Sequence, residues 1–224
     1  MIFVIDFDGT VSTQDTVDQL LAQHADPAWQ ELEDAWLQDR ISAVECMQGQ
    51  IRLVRADART LAAFYRSMRI DPNFRAFSEH VRSFAALAIV SDGLDQAIHA
   101  CLGRHGISEL PVYANHLERI LPDRLELHFP LRQSSCQAGN GVCKCAVAQD
   151  LAAQHGGPTV PIVLVGDGKS DACLAARADI VFAKGSLIEH CRAQQIAHTP
   201  FETFADVLRV VRGWPQARPL PVAA

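Results

Sequence analysis

Four short, continuous apolar runs constrain this fold most. Residues 2–6, 86–91 (Ala-Leu-Ala-Ile-Val-Ser) and 162–166 (Ile-Val-Leu-Val-Gly) have this character, and 180–183 (Ile-Val-Phe-Ala) is a shorter version. A strand wetted on one face alternates polar and apolar residues, whereas a strand covered on both faces does not. The runs therefore predict a parallel sheet between two layers of helices. Helical patterns follow at about 94–104, 144–155, 171–178, 186–195 and 202–212. This alternation predicts a doubly wound α/β domain with a parallel sheet.

Residues 14–83 depart from that rhythm. Helical patterns run over about 14–24, 28–38, 42–55, 58–68 and 73–83, with Pro27 and Pro72 near two starts and no convincing strand among them. The expectation is an inserted all-helical cap domain at 14–83, with 1–13 and 84–224 forming the core. Leu20, Leu21, Trp29, Trp36 and Phe64 are candidates for the cap's interior. Trp29 and Trp36, seven apart, read as one packing stripe, and Phe74 and Phe77 as another. Residues 111–130 read as a hairpin, since 125–129 alternates cleanly. The stretch 215–224, with three prolines, reads as loosely ordered.

Two turns carry an excess of carboxylates. Asp6 and Asp8 lie in Ile5-Asp6-Phe7-Asp8-Gly9-Thr10, and Asp167 and Asp171 lie in Gly166-Asp167-Gly168-Lys169-Ser170-Asp171. Period-two alternation puts Asp6 and Asp8 on one side of the strand end and turns Phe7 into the core. Helix-dipole stabilisation accounts for Asp171, with Ser170 as N-cap. It does not account for Asp167, which ends a buried strand. Like charges about 4 Å apart repel by roughly 4 kcal/mol at an effective dielectric of about 20. A hard divalent cation such as magnesium relieves that repulsion with all-oxygen ligands. Ser91-Asp92-Gly93 closes the second strand, where a hydroxyl and backbone N–H groups can receive an anion, or where Ser91 or Asp92 simply caps a helix. Lysine is scarce, so Lys144, Lys169 and Lys184 stand out as possible point charges for phosphate.

The order Asp6-Phe-Asp-Gly-Thr10, Ser91, Lys144, Gly166-Asp-Gly-x-Ser-Asp171 resembles the four motifs of the haloacid dehalogenase-like phosphatases. A helical insert directly after the first motif resembles the phosphoserine phosphatase-like subgroup. A narrower family, the 2-hydroxy-3-keto-5-methylthiopentenyl-1-phosphate phosphatases, is resembled at Pro27-Ala-Trp29, in the cysteine-containing loop before Lys144, at Phe182–Cys191 and at His198–Phe201. The resemblance implies a phosphomonoesterase with Asp6 as nucleophile and Asp8 as general acid and base. It implies Mg2+ on Asp6, Asp8 (through its carbonyl), Asp167 and Asp171. Thr10, Ser91, Asp92, Gly93 and Lys144 would surround the phosphate, and Asp15 and Gln50 of the cap would face the rest of the substrate. The second motif departs from the subgroup's usual Ser-Gly-Gly at Asp92. Gln50 stands where phosphoserine phosphatases have an arginine, with Arg52 and Arg55 close by in sequence. A phosphotransferase or phosphomutase shares the same nucleophile and metal. A non-catalytic phosphoacceptor module needs neither Asp8 nor a cap.

The formal charge of −6 disfavours nucleic acid as a partner, and no apolar run approaches a membrane span. The expected partner is a small-molecule phosphate ester, the chain acting as monomer or homodimer. The opening residues reach Asp6 too soon for a secretory signal, and seven cysteines cannot all pair internally. Both features lead to the expectation of a cytoplasmic protein with reduced thiols. Cys136, Cys143 and Cys145 cluster around Lys144. A zinc site there needs a fourth ligand such as His128, so ordinary thiols able to form a disulfide on oxidation are the favoured reading.

Overall fold

A computed structural model describes residues 1–136 and 139–214; the stretch 215–224 lies outside the described residues. One sheet holds seven strands: β1 (Ile2–Ile5), β2 (Ala86–Leu94), β3 (Val112–Leu121), β4 (Arg124–His128), β5 (Ile162–Gly166), β6 (Ile180–Ala183) and β7 (Thr199–Pro200). Their order is β4-β3-β2-β1-β5-β6-β7, parallel throughout except for the β3–β4 hairpin at one edge. The apolar runs became strands because they are covered on both sides. Phe3 and Ile5 pack into one core and Ile2 and Val4 into another, and all four have no solvent exposure.

The helices are α1 (Thr16–His24), α2 (Trp29–Leu37), α3 (Ala43–Leu53), α4 (Ala58–Ser67), α5 (Phe74–Arg82), α6 (Asp95–Arg104), α7 (Lys144–Gln154), α8 (Ala172–Ala175), α9 (Gly185–Ala193) and α10 (Phe204–Val211). Side chains placed at the starts fix several of them. Asp15 caps α1, Ser42 and Glu45 form a capping box at α3, and Asp57 caps α4.

Two expectations need correcting. The helical insert was expected to run to residue 83, but α5 packs on the sheet. The Phe77 ring lies 5.9 Å from Phe3 and 4.8 Å from Phe204 of α10, and Asp71 Oδ2 accepts the Phe204 N–H at 2.9 Å. Phe74 and Phe77 are therefore a stripe of the core. The chain leaves and re-enters the core side by side, through Thr13 N–H to Arg69 C=O and Asp71 N–H to Val11 C=O, which moves the boundary back to about residue 70. Secondly, β2 does not stop at Ser91. It continues to Leu94, which precedes α6 without a side-chain cap, so neither Ser91 nor Asp92 caps a helix.

The hairpin supports the insert: α3 packs against β4, and Arg52 pairs with Glu126 at 3.0 Å. Among the described residues no helix is long and apolar enough to cross a membrane.

Candidate active site

Strand order reverses at β1, which lies between β2 and β5, and the carboxyl ends of such neighbouring strands leave a crevice for ligands. Asp6 leaves β1 there, its N–H bonded to Val165 C=O at 2.9 Å. The chain turns tightly over Phe7–Val11, closed by Ser12 N–H to Phe7 C=O at 2.8 Å. Asp6 Oδ1 accepts the Phe7 N–H at 2.8 Å. Gly9 has φ of +71°, and a Cβ there would lie 2.3 Å from Asp167 Oδ2. Only glycine satisfies both the backbone and this close approach. Lys184 Nζ donates to Gly9 C=O at 2.9 Å, tying the turn to the end of β6. Thr10 Oγ1 donates to Asp167 Oδ1 at 2.6 Å. The Thr10 hydroxyl thus holds a carboxylate, where a phosphate contact was expected.

Lys144 opens α7 almost wholly buried, at 3% exposure. Its Nζ lies 2.9 Å from Asp6 Oδ1 and 2.6 Å from Asp171 Oδ1, and donates to Ser170 Oγ at 3.1 Å. Asp171 Oδ2 accepts the N–H groups of Asp167 and Gly168 at 3.1 and 3.2 Å. Asp171 therefore folds back over its own turn, and Ser170 receives the lysine instead of capping a helix. Burial alone would strip the charge from Lys144, but the carboxylates of Asp171 and Asp6 outweigh it and raise its pKa. Asp6 is pushed well above the usual carboxylate range by burial and by Asp171, with Lys144 opposing. Burial also raises Asp167, against the Thr10 hydrogen bond.

One carboxylate oxygen from each of Asp6, Asp167 and Asp171 falls within 4.8 Å of the other two. Three hard oxygen donors, partly neutralised by one lysine, fit a magnesium ion. Asp8 turns its carboxylate away from this group. Its Oδ1 accepts the N–H and the Oγ1 hydroxyl of Thr16, the first residue of α1, at 2.8 and 2.5 Å. Burial, then the nearby Asp15 carboxylate, push Asp8 up to about 7, with the Thr16 bonds opposing. Two aspartates two residues apart thus have separate environments, one beside an ammonium and one beside a helix start.

Ser91 is buried beside them, accepting the Gly93 N–H at 3.0 Å. A Cβ on Gly93 would lie 2.3 Å from Asp8 Oδ2, so this position must stay bare for Asp8 to sit where it does. Asp92 behaves differently from its neighbours. Its Oδ1 accepts the Val142 N–H at 2.7 Å, and its C=O accepts Asn115 Nδ2 at 2.6 Å. The Asp92 carboxylate anchors the loop that delivers Lys144.

A cleft of about 1110 Å³ opens above these groups, between the sheet edge and the insert. Asp15 borders it while capping α1 through the N–H groups of Val17 and Asp18. Gln50 is buried, its Nε2 donating to Glu33 Oε2 at 2.8 Å. Neither nearby arginine reaches the cleft: Arg52 pairs with Glu126, and Arg55 donates to the Arg52 and Val54 carbonyls. Trp36 forms a cleft wall instead of a core stripe, with Lys169 Nζ 5.1 Å from its ring centroid. That contact joins insert to core across the cleft. Sequence reasoning missed it, along with Thr16, Asn115 and the Lys184 tie. Only the scarcity of lysine signalled any of them.

A family model described as haloacid dehalogenase-like hydrolase matches residues 3–176. The chain belongs to that family. Among curated relatives, the 2-hydroxy-3-keto-5-methylthiopentenyl-1-phosphate phosphatase of an Exiguobacterium species (strain AT1b) is 29% identical over 220 residues, covering 94% of this chain and 96% of the relative. The enzyme of the same name from Exiguobacterium sibiricum is 30% identical over 208 residues, covering 91% and 92%. Solved structures share the fold. A phosphoserine phosphatase carrying a phospho-aspartyl intermediate analogue superposes with a TM-score of 0.71 at 15% identity, covering 93% of this chain and 97% of that one. A haloacid dehalogenase family hydrolase from Salmonella enterica gives 0.72 at 19%, covering 95% and 71%. The chain is a phosphatase of the haloacid dehalogenase-like family.

Proposed function

We propose that this phosphatase is a magnesium-dependent phosphomonoesterase that hydrolyses a small, largely neutral phosphorylated metabolite through an aspartyl-phosphate on Asp6. The observation that carries the reading is the division of labour between Asp6, 2.9 Å from the Lys144 ammonium, and Asp8, held by Thr16.

Asp6, Asp167 and the Asp8 carbonyl would hold magnesium, with Asp171 behind them; the ion supplies neutralisation of the phosphoryl oxygens. A carboxylate oxygen of Asp6 attacks phosphorus, and the ester P–O bond breaks. The Asp8 carboxyl gives its proton to the departing alkoxide. Asp8, now ionised, takes a proton from water as that water attacks phosphorus, and the bond to Asp6 breaks to release phosphate. The Ser91 hydroxyl and Lys144 hold the phosphoryl oxygens. Thr10 positions Asp167, and Asp92 positions the loop before Lys144.

The cleft supports a choice of substrate. Its insert side offers Val17, Trp36, Ile41 and Met47 as apolar surface, with Asp15, Asp18 and Glu33, and no arginine or lysine. A substrate carboxylate, such as phosphoserine's, would find no cationic partner from the insert there; the cleft's basic residues, Lys169 and Arg177, belong to the core side. The relatives' named substrate carries hydroxy, keto and methylthio groups, none of them anionic. We assign this compound, or a close analogue with a neutral tail, as the substrate. Phosphate release from it and from phosphoserine, measured side by side with magnesium, tests the assignment. The expected ratio of kcat/KM is at least about a hundredfold in favour of the neutral compound, since an unpaired buried charge is penalised steeply. Equal or greater turnover of phosphoserine refutes it.

A further inference from the structure

Cys145 and Cys173 approach each other to 3.5 Å between sulfurs. Cys145 directly follows Lys144 in α7, and Cys173 lies two residues beyond Asp171 in α8. The two thiols thus flank the 2.6 Å ion pair of Lys144 and Asp171. Cys173 is half-buried and borders the cleft, while Cys145 is buried behind it. A small oxidant entering the cleft meets Cys173 first. Cys143, directly before Lys144, has Cys136 as its own close thiol neighbour.

We propose that Cys145 and Cys173 are a redox-modification site, closed to a reversible disulfide by hydrogen peroxide and lowering phosphatase activity when closed. In the first step the Cys173 sulfur gives two electrons to the peroxide, whose O–O bond breaks, yielding a sulfenic acid and water. In the second the Cys145 sulfur attacks the Cys173 sulfur, the S–OH bond breaks, and a second water leaves. Two thiols and one peroxide become one disulfide and two waters. A disulfide holds its sulfurs about 2 Å apart, so closure draws the two sulfurs together by roughly 1.5 Å. The displacement falls on the start of α7, which carries Lys144, and on the start of α8, which Asp171 directly precedes. A shift of about 1 Å in positioning groups can cost up to roughly a hundredfold in rate.

The experiment treats the reduced full-length protein with an equivalent of hydrogen peroxide. It maps crosslinks by non-reducing peptide mass spectrometry and assays p-nitrophenyl phosphate hydrolysis. The expected result is a Cys145–Cys173 crosslinked peptide lighter by two hydrogens, at least about a tenfold loss of rate, and recovery with dithiothreitol. Cys145→Ala should keep its basal rate, form no crosslink, and keep that rate through the same peroxide dose. Cys173→Ser should likewise form no crosslink. A crosslink confined to Cys136 and Cys143, sulfinic acid at Cys173 without a crosslink, or a closed Cys145–Cys173 bond with unchanged rate overturns the proposal. The activity arm rests on the phosphatase reading and the mapping arm does not. A protein inactive before oxidation counts against that reading, while the map still decides whether the disulfide forms.

Discussion

Lys144 Nζ and Asp171 Oδ1 lie 2.6 Å apart with neither side chain open to solvent, and Asp6 completes the group at 2.9 Å from the same ammonium. One buried cation therefore serves two buried anions. Removing it leaves both without compensation, and breaking a buried pair from one side costs about 3–5 kcal/mol. Lys144→Met, close in volume, should lower stability by that amount in urea denaturation without divalent cation, and should abolish turnover. Unchanged stability would mean that the pair adds nothing to the fold.

The same group fixes a pH dependence. Lys144 holds its proton more tightly folded than unfolded, because Asp171 and Asp6 outweigh the burial that opposes its charge. Its contribution is complete below the unfolded value of about 10 and is lost as pH climbs through the higher folded value. Urea midpoints should therefore fall on the alkaline side above about pH 10, and Lys144→Met should show a shallower fall. Parallel alkaline profiles would remove Lys144 from that account.

Much of this was legible before the structure. Continuous apolar runs announced buried strands, and aspartates at their ends announced the cluster of Asp6, Asp167 and Asp171. What stayed hidden depends on partners distant in sequence. Helical periodicity gave α5 an apolar face, but the rings that cover that face belong to β1 and α10, so periodicity alone could not say whether α5 sits on the insert or the core. Thr10 and Asp92 lie within the motifs, yet their side chains are spent on Asp167 and Val142. Motif position predicted their neighbourhood without predicting which atom each would bind. Cys173 was left out of the cysteine cluster because its pairing with Cys145 spans two separate helices.

Thr16 links the insert to the chemistry, since its hydroxyl and N–H both hold Asp8 Oδ1. Thr16→Val keeps the backbone bond and the shape but loses the hydroxyl. We expect kcat to fall about tenfold with KM nearly constant, as for a contact that orients the reacting acid without binding substrate. A change confined to KM would assign Thr16 to substrate binding instead.

Magnesium should stabilise the fold as well as activate it. At a hundred times its Kd, a ligand that binds only the folded state adds about 2.7 kcal/mol. Calorimetry should show Tm rising with magnesium in the wild type and falling back with EDTA. Asp167→Asn should lose the rise, because it removes one charge from the group of three carboxylates. An equal rise in that variant would place the ion elsewhere.

The central claim is covalent catalysis at Asp6, and acid-quenched intact and peptide mass spectrometry of the enzyme during turnover tests it most directly. The account predicts one phosphoryl group on the peptide bearing Asp6, and none in Asp6→Asn, which folds but does not turn over. Full turnover by Asp6→Asn, or phosphoryl transfer to a different residue, would contradict it.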